Sequence, residues 1–104
     1  MDTDALERML ARGQDNVLLR LGLGSAYLAR DEWDRAITHL RAAVTLDPGH
    51  APAWKLLGKA LAAAGDTSGA RDAYTTGIAA AEKGGHIQAA REMRVFLKRL
   101  DRQP

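Results

Sequence analysis

With 104 residues, 15 Lys+Arg against 13 Asp+Glu and a formal net charge of +2, the chain has room for one small domain, and its excess charge is too small to argue for nucleic acid or an anionic membrane. It contains no Cys, which removes disulfide frameworks, thiolate metal sites and cysteine nucleophiles. No apolar run nears the roughly 18 residues of a membrane span. Asp2, Asp4, Glu7 and Asp15 stand where a secretory signal would be basic and then apolar, so a soluble cytoplasmic protein is expected.

Twenty Ala and 14 Leu against six Val+Ile and five aromatics predict an all-α fold, because Ala and Leu lead the helix-propensity ranking. A first helix over 3–12 is expected, with Thr3 as its N-cap and Ala5, Leu6, Met9 and Leu10 on its apolar side. Gly13 ends it, and Asp15 or Asn16 caps a second helix from Val17 to Arg30. Asp31-Glu32 turns the chain, and Asp34 opens a third helix to Leu46. Asp47-Pro48-Gly49 stops that helix, because Pro cannot donate to the ladder and Gly tolerates the turn. A fourth helix over Pro52 to Ala64, a Gly65-Asp66-Thr67 turn, a fifth helix to Glu82, a Gly84-Gly85 break and a sixth helix from His86 to Leu100 complete the chain, with 101–104 as a tail. Such short connections make neighbouring helices antiparallel.

Two blocks of 34 residues, 17–50 and 51–84, align in register. Their shared positions are Leu23/Leu57, Gly24/Gly58, Ala26/Ala60, Ala29/Ala63 and Ala36/Ala70. Gly24 and Ala36 in the first block, and Gly58 and Ala70 in the second, let paired helices approach closely. Leu23, Tyr27 and Leu40 fill the space beside one pair, and Trp54, Leu57 and Tyr74 beside the other. With Trp54-Lys55-Leu56-Leu57-Gly58, Ala36-x3-Leu40 and Pro48, the sequence resembles the tetratricopeptide repeat family, whose 34-residue helix–turn–helix pattern reads W-x2-L-G-x2-Y…A-x3-F…P. The resemblance covers 68 of 104 residues and implies a right-handed α-solenoid of antiparallel helix pairs, here about six helices in one domain. Arg20 replaces the pattern's Trp in the first block, and Glu82 its Pro in the second. Residues 85–100 are expected to be a terminal capping helix and look more like a second helix than the start of a third repeat. Two repeats fall short of the usual three, so helices 3–12 and 85–100 must close the stack.

No enzyme is expected. His39, His50 and His86 have no ligand-like neighbour at helical spacing and are expected to be solvated; Ser25 and Ser68 lack an activating motif; and Gly22-x-Gly24 falls inside a helix. No metal or cofactor site follows. The stronger signal is the second helix, apolar nearly all round and therefore needing cover all round. Leu18, Leu21, Ser25 and Leu28 form a stripe without an obvious internal partner. The family resemblance implies that positions 2, 5, 9 and 12 of each first helix line a concave ligand groove. Those positions are Leu18, Leu21, Ser25 and Leu28 in the first repeat and Pro52, Lys55, Lys59 and Ala62 in the second. An apolar end and a basic end suit a protein or peptide segment with apolar anchors and an acidic group. The Lys and Asn of the family's chaperone-tail clamp correspond to Leu21 and Ser25, so that clamp is not expected.

The last helix offers a secondary surface, the basic stripe Arg91, Arg94, Lys98 and Arg102, beside an apolar seam of Ala89, Met93, Phe96 and Leu100. Solvation of a capping helix explains it best. Self-association into a homodimer through that seam or the leucine stripe stays open, and nucleic-acid binding through the basic stripe is the weaker alternative.

Overall fold

The computed structural model describes residues 2–102, and among them the chain forms six α-helices and no strand: α1 (Thr3–Ala11), α2 (Val17–Ala29), α3 (Trp33–Leu46), α4 (Ala51–Ala63), α5 (Thr67–Lys83) and α6 (Ile87–Asp101). Of the expected tail, residues 103 and 104 lie outside the described residues, and α6 itself runs through Asp101. Among the described residues no helix is long and apolar enough to cross a membrane.

Side-chain caps set most of the helix starts, since the first turn leaves backbone N–H groups without partners. Asp2, not Thr3, caps α1, its Oδ1 accepting from the N–H groups of Asp4 (3.0 Å) and Ala5 (3.2 Å). Thr3 is instead buried as the first helical residue. Asn16 caps α2 through Leu19 N–H at 2.9 Å, His50 Nδ1 caps α4 through Ala53 N–H, and Asp66 caps α5 through Gly69 N–H at 2.8 Å. Pro52 falls in the first turn of α4, where no backbone donor is needed. Gly13, Gly65 and Gly85 reverse the chain after α1, α4 and α5 with positive φ, and Asp31 adopts the same left-handed conformation (φ 59°) after α2.

Helices α2 and α3 pack as one antiparallel pair and α4 and α5 as the next, with α4 laid against α3 and alongside α2. Backbone approach within each pair depends on glycine. A Cβ at Gly24 would overlap the Leu40 side chain, and one at Gly58 would overlap the Tyr74 ring. Leu23, Leu40 and Met93 are the largest fully buried side chains, surrounded by Ala36, Ala43, Ala53, Ala60 and Ala70. Helix α6 stands against α5 and alongside α4, as α4 stands against α3 and α2. It therefore takes the place of another first helix, not the second-helix place its sequence suggested. Met93 decides this, seated where a Cβ on Gly77 of α5 would otherwise be.

The other end is closed by α1, through apolar contacts of Leu6 and Leu10 and through a polar network. Glu7 Oε1 accepts from the Tyr27 hydroxyl (2.8 Å) and from His39 Nε2 (3.2 Å). The Arg20 guanidinium donates to His39 Nδ1 (3.0 Å) and makes a two-point contact with Asp15 (2.8 and 3.0 Å). Arg30 reaches back to the Thr3 hydroxyl at 3.0 Å. His39 is thus buried, not solvated, stacked on Tyr27 with ring centroids 5.6 Å apart. It lies three residues beyond Ala36 and one before Leu40, on the inward side of α3. A carboxylate can only accept and a guanidinium can only donate, so this geometry requires the neutral imidazole with its hydrogen on Nε2. Burial holds the His39 pKa below its ordinary value; the Arg20 charge reinforces that and Glu7 opposes it. The Tyr27 hydroxyl is pushed above its ordinary range, chiefly by its hydrogen bond to Glu7.

Two outcomes are expected. Gly58→Ala should destabilise the fold by at least about 1 kcal/mol in urea unfolding, because overpacking against the Tyr74 ring outweighs the helix propensity gained. The second concerns pH. Unfolded His39 takes up a proton near pH 6.5, whereas the folded site resists it, so stability is full above about 6.5 and falls as the pH drops through that value. Urea midpoints measured between pH 8 and 5 should show this decline, and His39→Gln should flatten it.

Candidate binding face

The first-helix side of the stack is built from α2, α4 and α6, and their N-caps Asn16, His50 and His86 put the three in register. Counting from each cap, positions 2, 5, 9 and 12 are Leu18, Leu21, Ser25 and Leu28 on α2. On α4 they are Pro52, Lys55, Lys59 and Ala62, and on α6 Gln88, Arg91, Val95 and Lys98. These spacings share one side of a helix.

On α2, Leu18 is 70% exposed and Ser25 is exposed beside it. Leu21 and Leu28 are half-buried and pack against the core, so part of the leucine stripe has an internal partner after all. The reason is tertiary: α2 packs against α3, α1 and α4, not against its repeat partner alone. Helix α1 leaves Leu18 uncovered.

On α4, Lys55 is half-buried and its Nζ donates to Glu92 Oε2 of α6 at 2.7 Å. Gln88 Nε2 reaches the other carboxylate oxygen at 3.4 Å. The Lys55 hydrogen bond, followed by its charge, holds the Glu92 carboxyl below the usual carboxylate range, and the Lys59 charge adds to this. Lys59 is exposed, with its Nζ 5.2 Å from the centre of the Phe96 ring, which Arg99 also approaches at 5.6 Å. Ala62 is half-buried against the core. Pro52 is exposed at the start of the row.

The basic stripe of α6 does not stay together. Arg94 turns toward α5 and pairs with Glu82 at 2.6 Å. Arg91 and Lys98 fall in the third row of the first-helix face, flanking the half-exposed Val95, and Arg102 is exposed at the helix end. The apolar seam is largely consumed by packing: Met93 and Leu100 are buried, and Phe96 lies 5.8 Å from Tyr74. Ala89 and Phe96 stay half-buried beside them. The face grades from apolar on α2 to cationic on α4 and α6. Charge along the chain follows, at −2 for residues 1–50 and +4 for 51–104.

Two clefts of about 300 Å³ lie at inter-helix turns, one formed by residues 31–35 and one by Pro48, Gly49, Ala80, Lys83 and Gly84. Neither cleft is lined by a residue of the three rows. Sequence reasoning missed Glu92 as a member of this face, although its place at position 6 from the α6 cap is legible once the caps are aligned.

Comparison with known proteins agrees with this architecture. The family model described as tetratricopeptide repeat matches residues 27–93. The TPR repeat-containing protein PA0015 of Pseudomonas aeruginosa is 52% identical over 102 residues, covering 98% of this chain and 97% of that protein. The solution structure of protein BPP2914 from Bordetella parapertussis superposes with a TM-score of 0.84 at 49% identity, over 98% of this chain and 89% of that one. A glycine-mediated stack of antiparallel helix pairs, matched by model, sequence and structure alike, makes the chain a member of the tetratricopeptide repeat family.

Proposed function

We propose that the chain is a non-enzymatic protein-interaction module that seats a partner segment across α2, α4 and α6. The observation that carries this reading is Leu18, the most exposed large apolar side chain, on the same face as the exposed Val95 and the cations Lys59, Arg91 and Lys98. Exposed apolar area rimmed by charge marks interaction surfaces more than solvated ones. Leu18 would take an apolar anchor of the partner, with Leu21, Leu28 and Ala62 flooring the seams beside it. Ser25 would hydrogen-bond along the segment, and Lys55 and Lys59 would hold acidic groups and set register. Membership of a family whose repeats generally act as scaffolds supports the same conclusion.

The test is capture of partners from native lysate by the wild type beside a Leu18→Asp/Lys59→Glu double variant. Leu18 suits this better than Leu21, because its exposure lets the substitution leave the core intact. Circular dichroism should be unchanged, while recovery of a specific partner should fall at least about tenfold, the loss of one anchor and one charge contact. Equal recovery by a folded double variant would overturn the reading.

A further inference from the structure

Lys55, a groove cation by position, already holds a carboxylate in the folded chain: Glu92 Oε2 at 2.7 Å, with Gln88 on its other oxygen and the Lys59 charge acting on it. We propose that Glu92 is a resident stand-in for an acidic group of the partner, so that an acidic peptide segment binds by exchanging its carboxylate for Glu92 on Lys55. This rests on the groove reading above and specifies its partner class and its regulation.

Four observations carry the exchange. First, the pair is reachable, with side chains 26% and 36% exposed, and an ion pair at that exposure is worth little, so breaking it costs little. Second, α6 does not need the pair to stay in place, because buried Met93 and Leu100 and the Phe96–Tyr74 contact hold it against α5. Third, the surroundings favour an anion: Lys59, Arg91, Lys98 and Arg99 lie on the same two helices, and Glu92 is the carboxylate set among them. Fourth, Leu18 at the far side offers an apolar anchor point, so the fitting occupant is a segment with leucine-type and acidic residues together. A partner with a single acidic residue gains little by replacing Glu92. One with several engages Lys59, Arg91 and Lys98 as well, so the resident carboxylate acts as a selectivity threshold.

The experiment measures the affinity of the full chain for a fluorescein-labelled 12-residue peptide of leucines and glutamates, and for its glutamine counterpart. Wild type is compared with Glu92→Gln, Lys55→Gln and the double variant, with unfolding midpoints as the fold control. Glu92→Gln should bind the acidic peptide about fivefold more tightly than wild type, the scale of one exposed ion pair, and should not change binding of the glutamine peptide. The gain should vanish in the Lys55→Gln background, which separates exchange on Lys55 from mere removal of a negative charge. If Glu92→Gln binds the acidic peptide no better than wild type, or if the gain persists without Lys55, exchange is overturned while the groove reading stands. If no variant prefers the acidic peptide to the neutral one, the acidic partner class falls with it.

Discussion

Close approach of helix backbones is the constraint on which everything else in this molecule rests. With five aromatics in 104 residues, the core cannot be filled by large side chains and is assembled by bringing helices together over Gly and Ala. Gly24 receives Leu40, Gly58 receives the Tyr74 ring, and Gly77 receives Met93 and the base of Trp54. Each contact makes a small residue on one helix the socket for a larger one on the next. Because the third socket joins α5 to α6, the same device that closes each helix pair also seats the terminal helix. The three first helices are thereby aligned into one face, and the chemistry of that face follows from the stacking.

The two ends of the stack are closed by different physics. Helix α6 is held by buried apolar side chains, and its outward side carries charge, as an uncovered end requires. Helix α1 is short and relies on a polar network centred on Glu7, in which one carboxylate oxygen satisfies both Tyr27 and His39. Every member of that network has a partner, and no buried side-chain polar atom among the described residues is left without one. A satisfied network in a partly buried site fixes one arrangement of its members. It also ties the docking of α1 to the protonation state of a single imidazole. Arg20, which replaces the large aromatic of the family pattern, belongs to this solution: it supplies the donor that His39 Nδ1 needs.

The first-helix face inherits its gradient from these arrangements. Helix α2 keeps Leu18 open while Leu21 and Leu28 pack against the core. Helix α6 brings Glu92 to Lys55 and Phe96 beneath Lys59, so the cationic side is partly self-occupied.

Much of this was legible in the residues alone. Helix content, six segments, their turns and the 34-residue period are written in local signals: Ala and Leu abundance, Asp-Pro-Gly and Gly-rich breaks, and small residues recurring at fixed offsets. Leu18 was legible as part of a stripe at helical spacing, whereas Lys55 and Lys59 joined it through the resemblance to the repeat family. The sequence misled over Thr3, where Asp2 had the better reach to two free N–H groups, and over His39, whose partners Glu7 and Arg20 lie 32 and 19 residues away. The likeness of α6 to a second helix also misled, because a terminal helix shows its pattern only against the neighbour it packs on. Periodicity is a local property and can be read from one segment. Pairing between groups distant in the chain, and with it the Glu7–His39 network, the Lys55–Glu92 contact and the joining of Arg91 and Lys98 to the first-helix face, was decided only by how the helices stack.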